Sequence, residues 1–313
     1  MKSISDLTDF YYKNLFPTLE KLEADRKKLK EKVIIIGVIY TLITAFIAYN
    51  LSGYLDFILF AYIALGAIIY KFLVHDYTHE FKMSVIKPLV HAIDNSLLYS
   101  SKTHVSEYLF NHSDLFSKPD RMSGNDYVKG KIDDINIQFS DIHAEKRNRN
   151  SKGKDSWSTI FKGLFIISEF NKKFQGQTVV LPDTAQNTFG NIIGNWLQSK
   201  NMARDELVKM DDPEFEKEFV VYSTNQVEAR YILSSSLMKK LLAFKHKSKH
   251  PVHISFIGGQ IHMAIEYNKD LFEPAIFSSL LEYKVAMEYV KTLHLAIGIV
   301  QELKLNQKLW SKK

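Results

Sequence analysis

From Val33 to Leu51 the chain reads VIIIGVIYTLITAFIAYNL, 19 residues without a charge. An α-helix rises about 1.5 Å per residue, so this run approaches the roughly 30 Å hydrocarbon thickness of a bilayer. Ser52 and Gly53 supply a turn. A second apolar stretch, Tyr54 to Val74, follows, interrupted by Asp56 near its start and Lys71 near its end. Both charges fall where a side chain reaches the headgroups. Two adjacent helices that are apolar on every face would need a core around both, which a chain of 313 residues rarely supplies. Residues 33–74 are therefore expected to form a transmembrane hairpin, with the lipid bilayer as partner. Gly37, Ala45, Ala61, Ala64 and Gly66 offer small surfaces for packing the two helices.

Arg26, Lys27, Lys28, Lys30 and Lys32 precede the first run, whereas the turn between the helices carries no Lys or Arg. The positive-inside rule then places both termini in the cytoplasm of a two-helix cell-membrane protein. The N-terminus does not read as a signal peptide, because the apolar run starts only at Val33 and no small-residue cleavage site follows.

The chain has no cysteine, which excludes disulfides, thiolate nucleophiles and thiolate-held zinc or iron–sulfur sites. A net charge of +6 is an ordinary basic surface, and no basic stripe is interleaved with aromatics in the way nucleic-acid binding demands. Nucleic acid is not an expected partner.

Four regions are expected: an amphipathic helical segment at 1–32, the hairpin at 33–74, a juxtamembrane helical linker at 75–123 and a soluble α+β domain at 124–313. In the first, Leu7, Phe10, Tyr11, Leu15, Phe16, Leu19 and Leu22 form an apolar stripe that Pro17 breaks or kinks. Residues 78–110 read as one or two amphipathic helices, and the polar run 111–125 as a linker.

Beyond residue 124 the period changes to two. Tyr127–Ile132 and Ile135–Phe139 flank a turn at Asp133-Asp134. The charged stretch 145–155, with Lys146, Arg147, Arg149, Lys152 and Lys154, reads as a solvated loop. Strands follow at 160–170 and 177–181 around the turn NKKFQG, and again at 215–222. Ser223 and Gln226 then match a capping box that opens a helix over 225–246. Val252, Ile254 and Phe256 alternate before Gly258-Gly259, and Ile261, Met263 and Ile265 after it, which defines a tight hairpin with one buried face. A last helix spans about 280–303. The fold class is thus α+β, a mainly antiparallel sheet with a long C-terminal helix, closed as a barrel or open.

The chemistry-bearing residues do not add up to a familiar centre. His75 and His79 lie in HDYTHE, which lacks the H-E-x-x-H order of zinc peptidases. Gly258-Gly259 lacks the ending of a phosphate loop. Ser234, Ser235 and Ser236 suit a helix cap, and Asp133-Asp134 and Asp211-Asp212 suit turns. Alternation puts His253 and His262 together on the polar, solvent-facing side of the hairpin. Arg230, with Glu228 nearby, can anchor its helix by a salt bridge or present a positive group. These four form the candidate ligand or partner surface. The catalytic residues of any enzyme here are not identified by these patterns, and no metal site or cofactor is expected.

The blocks FKGLFIISEFNKKFQGQTVVLPD (161–183), DPEFEKEFVVYSTNQVEARYIL (212–233) and SFIGGQIHMAIEYNKDLFEP (255–274) resemble a bacterial family known as domain of unknown function 3137. The resemblance implies a pair of membrane helices followed by this domain, and no activity. The expected function is a membrane-anchored cytoplasmic interaction or regulatory module, associated with envelope maintenance, acting through a protein partner or as a homo-oligomer. A membrane-tethered enzyme with a polar site formed only in three dimensions, and an anionic-lipid-binding module, are the alternatives.

Overall fold

The computed structural model describes residues 3–132, 134–149, 153, 155–170, 175–183 and 207–310, the last twelve by their helical backbone. Asp133, Lys152, Lys154, most of NKKFQG and the stretch 184–206 lie outside the described residues. The chain divides into two compact units, one of residues 1–93 with 272–291, the other of 94–271 with 292–313.

In the first unit α1 (Ile4–Asn14) opens with a capping box: the Asp6 amide donates to Ser3 Oγ at 3.1 Å, and the Ser3 amide to the Asp6 carboxylate at 2.9 Å. Leu15 interrupts the helix, and α2 (Phe16–Asn50) begins with Pro17 in its first turn, where a missing N–H leaves nothing unpaired. Pro17 thus lies in the start of a helix, and the expected break falls two residues ahead of it, at Leu15. That helix then runs unbroken through Val33, so the segment before the membrane and the first span are one rod of 35 residues, about 52 Å long. A single 3-10 turn (Ser52–Tyr54) leads into α3 (Leu55–Phe81), which continues through a π turn (Lys82–Ile86) into α4 (Lys87–Ile93).

The apolar windows of both helices have mean hydropathies of 2.1 and 2.2 and contain no buried residue. Phe46, Phe57 and Phe60 are each 71% exposed. Such surfaces are stable only in lipid, and the buried-pair alternative does not hold. Within the span Tyr40 and Tyr62 stack with ring centroids 5.1 Å apart, Tyr40 Oη donates to the Tyr62 carbonyl at 3.0 Å, and Thr41 shares a 3.0 Å bond with Tyr62 Oη. Polar bonds between helices hold the pair where lipid offers no hydrophobic drive. Further along, Tyr77 Oη donates to the Leu22 carbonyl at 3.2 Å and Lys21 pairs with Glu80 at 3.0 Å. The helices are therefore antiparallel neighbours, and both leave the apolar zone on the same side.

Arg26, counted from the sequence in the basic cluster ahead of the first span, is buried. It pairs with Glu23 at 2.7 Å and donates to the Ile276 carbonyl at 2.6 Å, while Glu23 accepts the Leu280 amide at 3.1 Å. The pair tethers 276–280 to α2, and the Arg26 guanidinium holds the Glu23 carboxyl below the usual carboxylate range.

The helical expectation for 78–110 holds as far as Ile93. Asp94 then stops the helix by accepting the Ser96 amide at 2.9 Å in an Asx turn. The second unit follows, built among the described residues on a nine-stranded antiparallel sheet in the order β1-β2-β3-β4-β9-β8-β5-β7-β6. Its strands are β1 (Leu98–Ser100), β2 (Arg121–Ile132), β3 (Ile135–Arg149), β4 (Asp155–Glu169), β5 (Thr178–Pro182), β6 (Leu207–Val208), β7 (Phe219–Ser223), β8 (Val252–Ile257) and β9 (Gln260–Glu266). Among the described residues β1 and β6 remain unpaired with each other, so the sheet is open. Both edges are very short, which limits edge-to-edge association.

Several boundaries differ from the sequence reading. A short helix, α5 (Glu107–His112), falls ahead of β2, and β2 begins at Arg121, inside the polar run. Of the stretch read as a solvated loop, residues 145–149 belong to β3 and Asp155 to β4, paired in the β3–β4 hairpin. Cross-strand polar pairs extend it: Arg121 with Glu145 at 2.8 Å, Arg147 with Asp155, and Asn148 with Ser158 at 2.8 Å. The Arg121 guanidinium also lies 3.9 Å from the Trp157 ring centre.

Residues 215–218 are helical, because Asp212 Oδ1 accepts the amides of Glu214 and Phe215 and Pro213 takes the first turn of α6 (Pro213–Glu218). The next helix is two: α7 (Gln226–Ile232) and α8 (Ser235–Ser248). Asn225, not Ser223, caps α7, its side chain accepting the Glu228 amide at 3.1 Å. Ser223 Oγ is engaged with Gln177 and Asn225 instead. Ser234 caps α8. The GG hairpin forms as expected, with Ile257 opposite Gln260 and both glycines at positive φ, 58° and 83°. The last helix, α9, spans Tyr283–Trp310.

Candidate functional site

One face of the sheet is paved by Ile142 and Ala144 of β3, Phe161, Phe165 and Ile167 of β4, Ala264 of β9 and Val179 and Leu181 of β5. The chain between β1 and β2 covers it: Phe110 stacks on Phe116 at 5.5 Å, and Phe116 on Phe161 at 5.0 Å. A polar seam runs beneath this cover. His253 Nε2 meets Glu266 Oε1 at 2.7 Å, and Ser255 Oγ donates to the Ser113 carbonyl at 2.6 Å. His262 Nδ1 lies 3.4 Å from Ser255 Oγ. Because that hydroxyl spends its proton on Ser113, it accepts from Nδ1–H, and His262 Nε2 is left a bare acceptor, buried without a partner. Burial, and then the neighbouring His112 ring at 5.9 Å, push the His262 imidazole down to about 3.

Alternation thus placed His253 and His262 on one face correctly, but their expected solvent exposure is wrong: they are 5% and 0% exposed. Both faces of this hairpin are covered, the histidine face by a segment distant in sequence. The other two candidates sit on α7. The Glu228 carboxylate accepts the amides of Gln175 at 3.0 Å and Gly176 at 2.7 Å, fixing the approach to β5. Arg230 is exposed, and no ion pair joins it to Glu228. His75 and His79 are both exposed on α3. Among the described residues no group of three or more His, Asp or Glu side chains is arranged to hold a metal ion.

At the end of the sheet near the β2–β3 turn lies an open groove of about 540 Å³, within the range of ligand sites. Tyr127, Lys129 and Lys131 of β2 line it at intervals of two, as side chains on one side of a strand must. Asn136 and Gln138 of β3, Ile167 and Glu169 of β4, and Gln260 of β9 continue the lining, with Leu98 at the edge. Tyr127 Oη donates to Gln138 Oε1 at 2.8 Å, so the Gln138 amide group is oriented as a donor. Glu169 accepts the Asn136 amide at 3.3 Å. Lys129 and Lys131 are exposed and, among the described residues, carry no ion pair. The groove offers two cations and carboxamide donors around an apolar strip, a surface that favours acidic, hydrogen-bonding groups. The period-two spacing of Tyr127, Lys129 and Lys131 was its one local signal; Glu169 and Gln260 join only through the strand order.

Together these features define a membrane-anchored protein, two apolar helices carrying an extramembrane α+β domain. Residues 159–305, from β4 into α9, match a family model described as "Protein of unknown function (DUF3137)", and the three sequence blocks quoted above all fall inside that match. Among solved structures the chain is similar to the crystal structure of the mycobacterial trehalose monomycolate transport factor A, TtfA. Identity is 12% and the TM-score 0.33, over 64% of this chain and 86% of that one, a likeness too slight to carry an argument about fold or activity. No curated protein matches.

Proposed function

We propose that the protein is a membrane-anchored interaction module whose groove takes an extended acidic segment of a protein partner on the cytoplasmic side. The observation that carries this reading is the pair of exposed lysines, Lys129 and Lys131, without an ion pair among the described residues, beside the oriented Gln138 amide in an open groove. An extended acidic chain matches both the charge and the open shape, with carboxamides to meet its backbone groups. A membrane-tethered enzyme and a lipid-binding surface remain the competing functions.

The test is site-specific photocrosslinking of the full-length protein in native membranes, with the photoreactive residue at Gln260. A discrete protein adduct is expected, reduced at least about tenfold by Lys129→Glu with Lys131→Glu, since reversing two charges against an acidic partner removes attraction and adds repulsion. An adduct indifferent to the charge reversal, or adducts to lipid alone, would contradict the reading.

A further inference from the structure

On the opposite side of β3 from the covered face, Asp141 is 4% exposed. Its Oδ2 accepts the Leu271 amide at 2.7 Å, and its Oδ1 is buried with no hydrogen-bond partner. Leu271 is the residue at which the chain leaves the second unit, and Phe272 after it adopts a left-handed φ of 58°. We propose that Asp141 is a proton-operated latch on residues 268–271, holding this exit segment closed when neutral and favouring its opening when ionised.

The charges around Asp141 set the direction. Asp126, in the bulge of β2 next to the Asn125 that pairs with Asp141, is fully buried and takes a hydrogen bond from Tyr99. Asp270 contributes a second negative charge from the exit segment itself. The opposing cation, Lys162 of β4, is already bound to Asp270 at 2.8 Å. His143, two residues along β3, bonds to Thr159 Oγ1 at 3.0 Å. An ionised Asp141 would be a second carboxylate charge at a buried position beside the buried Asp126, while the nearby cation pairs with the exposed Asp270. Burial first, then the Asp270 and Asp126 charges, push its carboxyl up to about 7, against the opposing Leu271 amide and Lys162.

Opening of 268–271 admits water and returns the carboxyl toward its ordinary value of about 3.9. Linkage then requires the closed state to weaken as pH rises through the interval between those two values, by at most about tenfold per unit, and to level off above it.

The experiment is hydrogen exchange of full-length protein in nanodiscs, following a peptide that contains the Leu271 amide and correcting for intrinsic exchange. Protection is expected to be at least about tenfold greater at pH 5.5 than at pH 7.5. Asp141→Asn should abolish the difference. Asp270→Asn, which removes one neighbouring negative charge, should move the levelling-off point to lower pH and keeps the test independent of whether Asp141→Asn folds. Equal protection at both pH values in the unaltered protein, or a pH dependence that survives in Asp141→Asn, would overturn the latch.

Discussion

Replacing Gly163 by alanine is expected to destabilise the sheet by more than about 4 kcal/mol, the range reached only by exceptional single substitutions. Gly163 lies in β4, opposite Ile142 on one side and Glu266 on the other. Its φ is +148°, and a Cβ there would sit 2.1 Å from the Ile265 carbonyl oxygen and 2.8 Å from the Tyr267 amide nitrogen. Both are backbone atoms of the neighbouring strand, so no side-chain rotation relieves the clash. The strands would have to separate in the middle of the sheet, where Phe161 and Phe165 pack. Gly258 is the control: it too has a positive φ, 58°, but a Cβ would meet nothing within 4 Å. Alanine at 258 should cost only about 1–2 kcal/mol. In denaturant titrations of the full-length protein in nanodiscs, Gly163→Ala should lose its cooperative transition or show a far lower midpoint, while Gly258→Ala shifts modestly. Similar midpoints for the two would show that the β4–β9 approach is looser than described.

The second large effect is a pair of opposed pH dependences. Asp141 has a raised carboxyl, so its contribution to stability is complete below the unfolded value near 3.9 and is lost as pH rises through about 7. His262 has a depressed imidazole, so its contribution is complete above the unfolded value near 6.5 and is lost as pH falls through about 3. Each shift spans about three units, on the order of 4 kcal/mol at its limit. Between pH 4 and 6.5 the two slopes have opposite signs and largely cancel. Asp141 and His262 together should therefore contribute little net slope over this interval. Asp141→Asn should uncover a loss of stability as pH falls, and His262→Gln a gain. Tryptophan-detected unfolding at pH 4.5 and 6.5 checks both, and variants with the same slope as the parent would contradict the assignment.

What was legible from the sequence was what local pattern encodes. The charge-free runs gave the membrane helices, the two glycines gave the β8–β9 turn, and strict alternation put His253 and His262 on one face. Their burial was not legible, because the cover supplied by Phe110 and Phe116 comes from a polar-flanked segment that reads as helix and linker. The extension of β3 to Arg149 was hidden for a related reason. Its residues are charged on both faces, and only cross-strand partners such as Asp155 make them a strand. Asp212-Pro213 carries a helix-start signal, although a strand was expected from Phe215. The groove and the Asp141 cluster assemble from residues 96–169 and 260–271 through the strand order, which no local spacing specifies.

The arrangement at the centre of the proposed function, a hairpin whose turn and folded mass lie on opposite sides of a membrane with the groove in the cytoplasm, is open to a direct measurement. The absence of cysteine makes single-cysteine labelling clean. With Ser52→Cys in the interhelical turn and, separately, Lys129→Cys in the groove, intact cells are treated with a membrane-impermeant maleimide. Labelling at position 52 in intact cells, with labelling at position 129 only after lysis, is the expected result. Labelling at 129 in intact cells, with 52 protected until the membrane is broken, would contradict it by placing the groove outside the cytoplasm.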